Sequence, residues 1–269
     1  MAETSSSTSR ERFSELHRSG SFLMPNAWDV GSALVLQSLG FEAIATTSSG
    51  FAATLGRHDQ RVTFAELAVH VAAICGAVDI PLSVDAEAGY SVEAEGLQRT
   101  VSHLAATGAS GISIEDYLPG TGLLGFEEST DRVGRFVEAA AEEGLIVTAR
   151  AENHLYGVDD LDDTVARLRS YRSAGADVLY APGLTDIGEI SRVVGEVDGP
   201  VNVLLLANGP SVGELATAGV RRMSTGGALA FAAYGALAAG GRELLEHGTS
   251  DYASLVLSGA EREAAFGAL

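Results

Sequence analysis

Lysine is absent from this 269-residue chain, and all 17 basic residues are arginine. Without a lysine amine no internal Schiff base can form. That excludes carbonyl chemistry of the class I aldolase type, lysine-anchored pyridoxal phosphate and the lysine of a Walker-type phosphate loop. Cysteine is nearly absent too. The single Cys75 cannot form an intrachain disulfide, and its setting, HVAAICGAV, reads as a helix packed on a sheet with a buried thiol. No apolar stretch free of charges and turn breakers approaches the roughly 20 residues of a membrane span, and the opening MAETSSSTSRERF carries no apolar signal region. Basic charge is scarce: 36 acidic residues against 17 arginines give a formal charge of −19. Such a surface repels nucleic acid and anionic lipid. The expectation is a soluble, cytoplasmic protein with no nucleic-acid and no membrane partner.

What the chain does have is a repeating switch of hydrophobic period. Short apolar runs occur at Phe22–Asn26, Ala43–Thr46, Leu82–Asp85, Gly111–Glu115, Ile146–Arg150, Val178–Ala181, Val201–Leu205 and Arg221–Ser224. Stretches with helical spacing lie between them, among them Phe64–Gly76, Ala94–Thr107, Arg132–Glu143, Leu161–Ala174 and Gly213–Ala218. Gly40, Gly108, Gly144, Gly175 and Gly219 each follow a helical stretch and precede the next run, the position where a left-handed residue ends a helix. Eight strand–helix units imply a closed parallel (β/α)8 barrel, because an open sheet would leave two bare edges. A single barrel of roughly 250 residues suits this length. No linker interrupts the pattern, so residues 1–269 read as one domain. Within it, 1–12 is a frayed tail and about 241–269 a C-terminal helical extension. The Ala-rich Gly227–Gly240 is apolar on most sides and is expected to pack on the barrel or on a second subunit.

Three of the runs end abruptly in charge: SVDAEAGY at Ser83–Tyr90, GISIEDY at Gly111–Tyr117 and LIVTARAEN at Leu145–Asn153. In a parallel barrel these charges gather at the carboxyl ends of the strands, the rim that carries chemistry. Asp85, Glu87 and Glu115 are hard oxygen donors suited to Mg²⁺ or Mn²⁺. Asp85 and Glu87, two residues apart, project to one side of a strand. Arg150 offers a fork that matches a carboxylate. Asp116, directly after Glu115, points elsewhere and is assigned to a structural hydrogen bond with a neighbouring loop.

In this order, the three segments resemble the isocitrate lyase / phosphoenolpyruvate mutase superfamily. Pro25–Asp29 (PNAWD) is similar to its first-strand motif, Thr47–Phe51 (TSSGF) to its substrate-anion loop, Leu55–Asp59 (LGRHD) to a segment whose Asp faces the active site, and Gly219–Ser224 (GVRRMS) to its last barrel strand. The resemblance implies a (β/α)8 barrel with extra C-terminal helices and a last barrel helix swapped between subunits. It also implies a homodimer or homotetramer, and Mg²⁺-dependent chemistry on a small anionic carboxylate substrate. It places Asp85, Glu87 and Glu115 around the metal and Arg150 on the substrate carboxylate or enolate oxygen. Ser49, Gly50 and Phe51 bind the substrate's anionic end, and Asp59 positions either the metal's waters or the reacting carbon.

The lyases of that superfamily carry a Lys-Lys-Cys-Gly-His type loop after the fourth strand, whose Cys donates a proton. Here the loop is Tyr117–Gly125 (YLPGTGLLG), with no Cys, Lys or His, and its hydroxyls, Tyr117 and Thr121, are the candidate acids. The leading expectation is a carbon–carbon lyase working through an enolate of a 2-oxo acid or hydroxydicarboxylate. Two alternatives stay open within the resemblance: C–P chemistry as a phosphonomutase or phosphonopyruvate hydrolase, and a non-catalytic ligand-binding homologue. A third follows from Ala207–Ser211 and Ser224–Gly227, where many barrels hold phosphate: an isomerase or lyase for a phosphorylated metabolite.

Overall fold

The computed structural model describes residues 2–267. Its strands are β1 (Phe22–Met24), β2 (Asn26–Ala27), β3 (Ile44–Thr46), β4 (Leu82–Asp85), β5 (Gly111–Glu115), a small hairpin of β6 (Tyr117–Leu118) and β7 (Gly122–Leu123), β8 (Ile146–Arg150), β9 (Val178–Tyr180), β10 (Val201–Leu204) and β11 (Arg222–Ser224). Apart from the hairpin they form one parallel sheet in the order β1-β11-β10-β9-β8-β5-β4-β3-β2. Its two outermost members are the halves of one strand, split at Pro25. Proline has no N–H for a ladder. The Pro25 carbonyl still accepts from Ala45 N at 3.0 Å, while Asn26 N turns to Thr225 Oγ1 at 3.0 Å. The sheet therefore closes on itself as a (β/α)8 barrel, and the first expected run is one strand bonded to a different neighbour on each side of Pro25.

The outer helices are α2 (Val30–Ser38), α4 (Phe64–Cys75), α5 (Ala94–Ala106), α6 (Phe126–Glu143), α7 (Leu161–Ser173), α8 (Ile187–Glu196) and α9 (Val212–Thr217), with a short α3 (Ser48–Thr54) laid over the rim. Their starts are written in the sequence: Asp29, Thr63, Asp160, Asp186 and Ser211 each accept the N–H three residues on. Gly40, Gly108, Gly144, Gly175 and Gly219 all adopt positive φ, as the helix-ending role requires. Between sheet and helices lies a continuous core that includes Ile44, Val84, Leu104, Ile112, Phe136 and Leu168, all essentially inaccessible.

Residues 1–12 are not a frayed tail where the structure describes them: α1 runs from Ala2 to Leu16. Arg10 donates to the carbonyls of Ala105, Ala109 and Glu143 at 2.7, 3.1 and 2.6 Å. Ala105 and Glu143 sit at the C-terminal ends of α5 and α6, where carbonyls lack helical partners, and a guanidinium satisfies them. Phe13 is fully buried beneath Gly111, where an added Cβ would stand 2.5 Å from the Phe13 ring. The helix thus stoppers the end of the barrel opposite the charged rim.

At the other end of the chain α10 (Ala228–Glu246) is unbroken, so the extension begins after Glu246 rather than near 241. Most of α10 is exposed, including Phe231, Leu237 and Leu245. Tyr252 folds back on Gly240, and α11 (Gly259–Phe266) lies against α2. Among the described residues no helix is long and apolar enough to cross a membrane.

Candidate active site

Arg150 is the hub of the rim. Its Nη1 lies 3.0 Å from Asp85 Oδ1, its Nη2 3.3 Å from Glu115 Oε2 and its Nε 2.7 Å from Glu152 Oε1. The register of the parallel strands brings these groups together, with Glu115 paired to Arg150 and Arg150 to Tyr180. Tyr180 presents its ring 5.4 Å from the guanidinium carbon. Asp116 does not face this cluster. It accepts from Glu152 N at 2.8 Å, Arg167 Nη1 at 3.0 Å and Tyr171 OH at 2.6 Å, which fixes the loop that presents Glu152.

Five carboxyl groups (Asp59, Asp85, Glu87, Glu115 and Glu152) interact around this one guanidinium, an excess of acidic groups that it cannot neutralise. The excess shows in their acidities. Burial first, then Asp85, pushes Glu87 up to about 7. Burial also pushes Glu115 well above the usual carboxylate range against the pull of Arg150, and raises Glu152. Asp59, which stands at the mouth, is raised by desolvation and by Asp85. Arg150, held by its carboxylates, is raised and stays charged.

The expected metal set does not close as a cage. Among the described residues no three His, Cys, Asp or Glu side chains converge on one point. Glu115 Oε1 accepts from Gln60 Nε2 at 3.0 Å, and Glu87 Oε1 from Tyr90 OH at 3.0 Å. Asp85 Oδ2 accepts from Ser48 N at 3.2 Å. An oxygen-only donor set with excess negative charge suits Mg²⁺, which keeps several waters and needs only one or two direct carboxylates. Glu87, Tyr90 and Gln60 all have positive φ (48°, 55° and 58°), strain concentrated in the loops that carry these groups.

A cavity of about 180 Å³ opens beside the cluster, lined at the rim by Ser48, Ser49, Asp59, Asp85 and Arg150. Of the expected anion-binding residues Ser49, Gly50 and Phe51, only Ser49 lines it. The Gly50 N–H is taken by Thr47 Oγ1 at 3.3 Å and the Phe51 N–H by Thr47 O at 3.0 Å, because both belong to α3. The Phe51 ring stacks on His70 at 3.7 Å instead of facing the cavity. Gly50 is required for packing: a Cβ there would lie 2.5 Å from Thr47 Cγ2 and 3.0 Å from Trp28 Cβ.

Neither candidate acid of the Tyr117–Gly125 loop lines the cavity. Thr121 sits exposed at the tip of the β6–β7 hairpin, away from the cavity lining. Tyr117 stacks on Tyr156 with ring centroids 3.5 Å apart, and Gln60 Nε2 reaches Tyr156 OH at 3.1 Å. Tyr117 therefore builds a roof beside Glu115. The phosphate alternative also loses its donor: Gly226 N is bound to Asn26 Oδ1 at 2.8 Å, and Thr225 N to the same oxygen at 3.0 Å.

Sequence reasoning missed Gln60, Tyr156 and Tyr180, and, beside Asn202, the rest of the polar floor of the cavity formed by Thr148, Arg222 and Ser224. The signal was present. Thr148 stands two residues before Arg150, and Arg222 two before Ser224, the period that keeps side chains on one face of a strand.

The sequence matches the family described as phosphoenolpyruvate phosphomutase over residues 13–245. Among solved structures, a Burkholderia cenocepacia J2315 protein provisionally named a lyase/mutase superposes with a TM-score of 0.94 at 40% identity, covering 98% of both chains. An oxaloacetate decarboxylase of Paraburkholderia xenovorans is 32% identical over 81% of this chain and 76% of its own. A 2-methylisocitrate lyase of Aeropyrum pernix is 30% identical over 68% of this chain and 60% of its own.

Proposed function

The chain belongs to the phosphoenolpyruvate phosphomutase family, within the isocitrate lyase / PEP mutase superfamily, and from that premise we propose that it is a carbon–carbon lyase acting on a small 2-oxo acid or hydroxydicarboxylate through an enolate. The observation that carries this reading is the cluster of carboxylates around Arg150, set on the wall of a polar cavity. Asp85, with Glu87 and Glu115 around it, would hold a Mg²⁺ or Mn²⁺ ion, which when bound supplies Lewis-acid polarisation of the substrate oxygens.

The chain's own groups supply the rest. Arg150 makes three ion pairs with its five N–H bonds, leaving two for an oxyanion that develops during cleavage. Preorganised donors of this kind contribute the most where charge appears. Ser49 Oγ, close against Gly227, meets the substrate's carboxylate. Asp59, made more basic at the mouth by burial and by Asp85, takes the hydroxyl proton of a hydroxydicarboxylate while the breaking C–C bond leaves its electrons on the enolate. The Tyr117–Tyr156 stack, tied down by Gln60, shields Glu115 from water. The exposed apolar side chains of α10, Leu237 and Leu245 among them, are assigned to a second copy of the chain in a homodimer or homotetramer.

The test is a panel of oxaloacetate, malate, alkyl-substituted malates, isocitrates and phosphonopyruvate, with and without Mg²⁺, on the wild type and on Asp85→Ala. Release of a 2-oxo acid that needs the cation and vanishes in the variant is expected. Phosphate release from phosphonopyruvate alone would move the assignment to C–P chemistry. Binding without turnover on every compound would leave a ligand-binding homologue.

A further inference from the structure

We propose that Arg222, on the floor of the cavity, receives a second carboxylate of the substrate, so that the site selects short dicarboxylates over monocarboxylates. This rests on the carboxylate-substrate reading above and deepens it.

Arg222 is 2% exposed and sits in the middle of the barrel. Its Nε donates to Asn202 Oδ1 at 2.8 Å, its Nη2 to Thr148 Oγ1 at 2.8 Å and its Nη1 to His17 Nε2 at 3.3 Å. All three acceptors are neutral. The imidazole is wedged edge-on between Phe13 and Phe22, and its Nδ1 donates to Phe13 O at 2.8 Å, which leaves a lone pair on Nε2 for Arg222. Burial lowers Arg222 to about 9 and His17 to about 3, so near neutral pH the first is charged and the second is not.

A charge this deep is ordinarily paired, because burying it without a counter-ion is strongly unfavourable. Arg150 has three carboxylates and buried Arg167 has Asp116 and Asp163. Buried Arg132 also lacks a carboxylate in contact, but its Nη1 and Nη2 donate to the carbonyls of Ala88, Ser91 and Val92, outside the cavity. Arg222 alone of these four lines the cavity without a counter-charge. Two of its five N–H bonds have no acceptor among the described residues.

The spacing fits a ligand with two acidic ends. Thr148 and Arg150 are alternate residues of β8 with side chains on the same face, so floor and rim are about 6–7 Å apart along the strand. A four-carbon diacid spans that interval, with one carboxylate among Ser49, Arg150 and the cation and the other on Arg222. The floor is otherwise hydroxyl and amide: Ser83, Ser113, Asn202 and Ser224 line the same cavity. A purely structural Arg222, serving only to tie α1 to the barrel through His17, would give no preference between one and two carboxylates.

The test is equilibrium binding by calorimetry, in the presence of Mg²⁺, of two diacids (malonate and succinate) and two monoacids (propionate and butyrate). It is run on the wild type, Arg222→Gln and Asn202→Asp. Asn202→Asp guards against misfolding: it preserves shape and the bond from Arg222 Nε while supplying the missing counter-charge. The wild type is expected to prefer diacids. Each variant is expected to lose roughly tenfold or more in diacid affinity, the weight of a charge-assisted pair, with monoacid affinity changed by less than about twofold. An equal loss for both ligand types, an unchanged diacid affinity in Asn202→Asp, or a wild type without diacid preference would overturn the proposal. Because no turnover is read, a protein that cleaves nothing yet prefers diacids sinks the lyase assignment and leaves this one standing.

Discussion

Arg150 Nη1 and Asp85 Oδ1 stand 3.0 Å apart at the mouth of the barrel, in an ion pair whose side chains are 14% and 15% exposed. In the function proposed above, the pair joins the residue that would receive a cation to the residue that would receive an anion. Loading either partner changes what the other can do, so the stability of the free protein and its chemistry are tied to the same few atoms.

Replacing Arg150 by Gln leaves Asp85, Glu115 and Glu152 without their shared counter-charge. Breaking a buried ion pair from one side costs about 3–5 kcal/mol. We expect a marked fall in melting temperature that Mg²⁺ partly restores, and a fall in kcat on the order of a hundredfold or more from the lost oxyanion donors. Thermal melts with and without the cation, alongside turnover on the best substrate of the panel, check both. An unchanged melting temperature would show that the carboxylates do not depend on Arg150.

Glu87 makes the metal-free protein sensitive to pH. Its carboxyl titrates near 7 in the folded state and near the ordinary 4.5 when unfolded. Between those values the folded form binds more protons, so stability falls as pH rises from about 4.5 through about 7. Above 7 the full penalty of the buried charge is present. In chelator, Glu87→Gln should flatten this part of the profile. The difference between wild-type and variant denaturation curves at pH 5.5 and 7.5 isolates the effect from buried His17 and His70, which titrate in the opposite sense. Parallel curves at the two pH values would contradict it.

Phe13→Ala tests whether the stopper at the closed end is integral to the fold. The side chain is fully buried, and such truncations cost about 3–5 kcal/mol. The denaturation midpoint should drop with the slope unchanged, while the folded variant keeps its ligand affinity. A shift under about 1 kcal/mol would mean that α1 packs without bearing on stability.

Much of this architecture is legible in the sequence because each strand is a short apolar run closed by a charge or a turn. Ile146–Arg150 and Gly111–Glu115 appear in the structure with the very limits read from the chain. The helix-ending glycines were equally plain, since their left-handed backbone is a local demand. α1 was hidden because AETSSSTSRERFSEL has no apolar stripe of its own: Arg10 finds its partners 95, 99 and 133 residues away, and Phe13 packs under Gly111. The same reason concealed Arg222. Its Asn202 and Thr148 partners are 20 and 74 positions distant, and a polar residue inside a strand looks like an outward-facing one until the barrel closes around it. The Gly50 and Phe51 amides misled for the opposite reason: a loop that sequence reads as open is the first turn of a helix, which consumes its own donors.

The strand divided at Pro25 sets an order of events during synthesis. Residues 22–24 have no ladder partner until residues 222–224 emerge, some two hundred positions later. Until then the growing chain carries an unzipped parallel edge, the kind of surface that captures other strands. Asn26, which gathers the amides of Thr225 and Gly226, works as the latch that fastens this seam once the tail arrives. A ribosome-bound fragment ending before Arg222 should therefore stay open, and dependent on chaperones, however well its first half has folded.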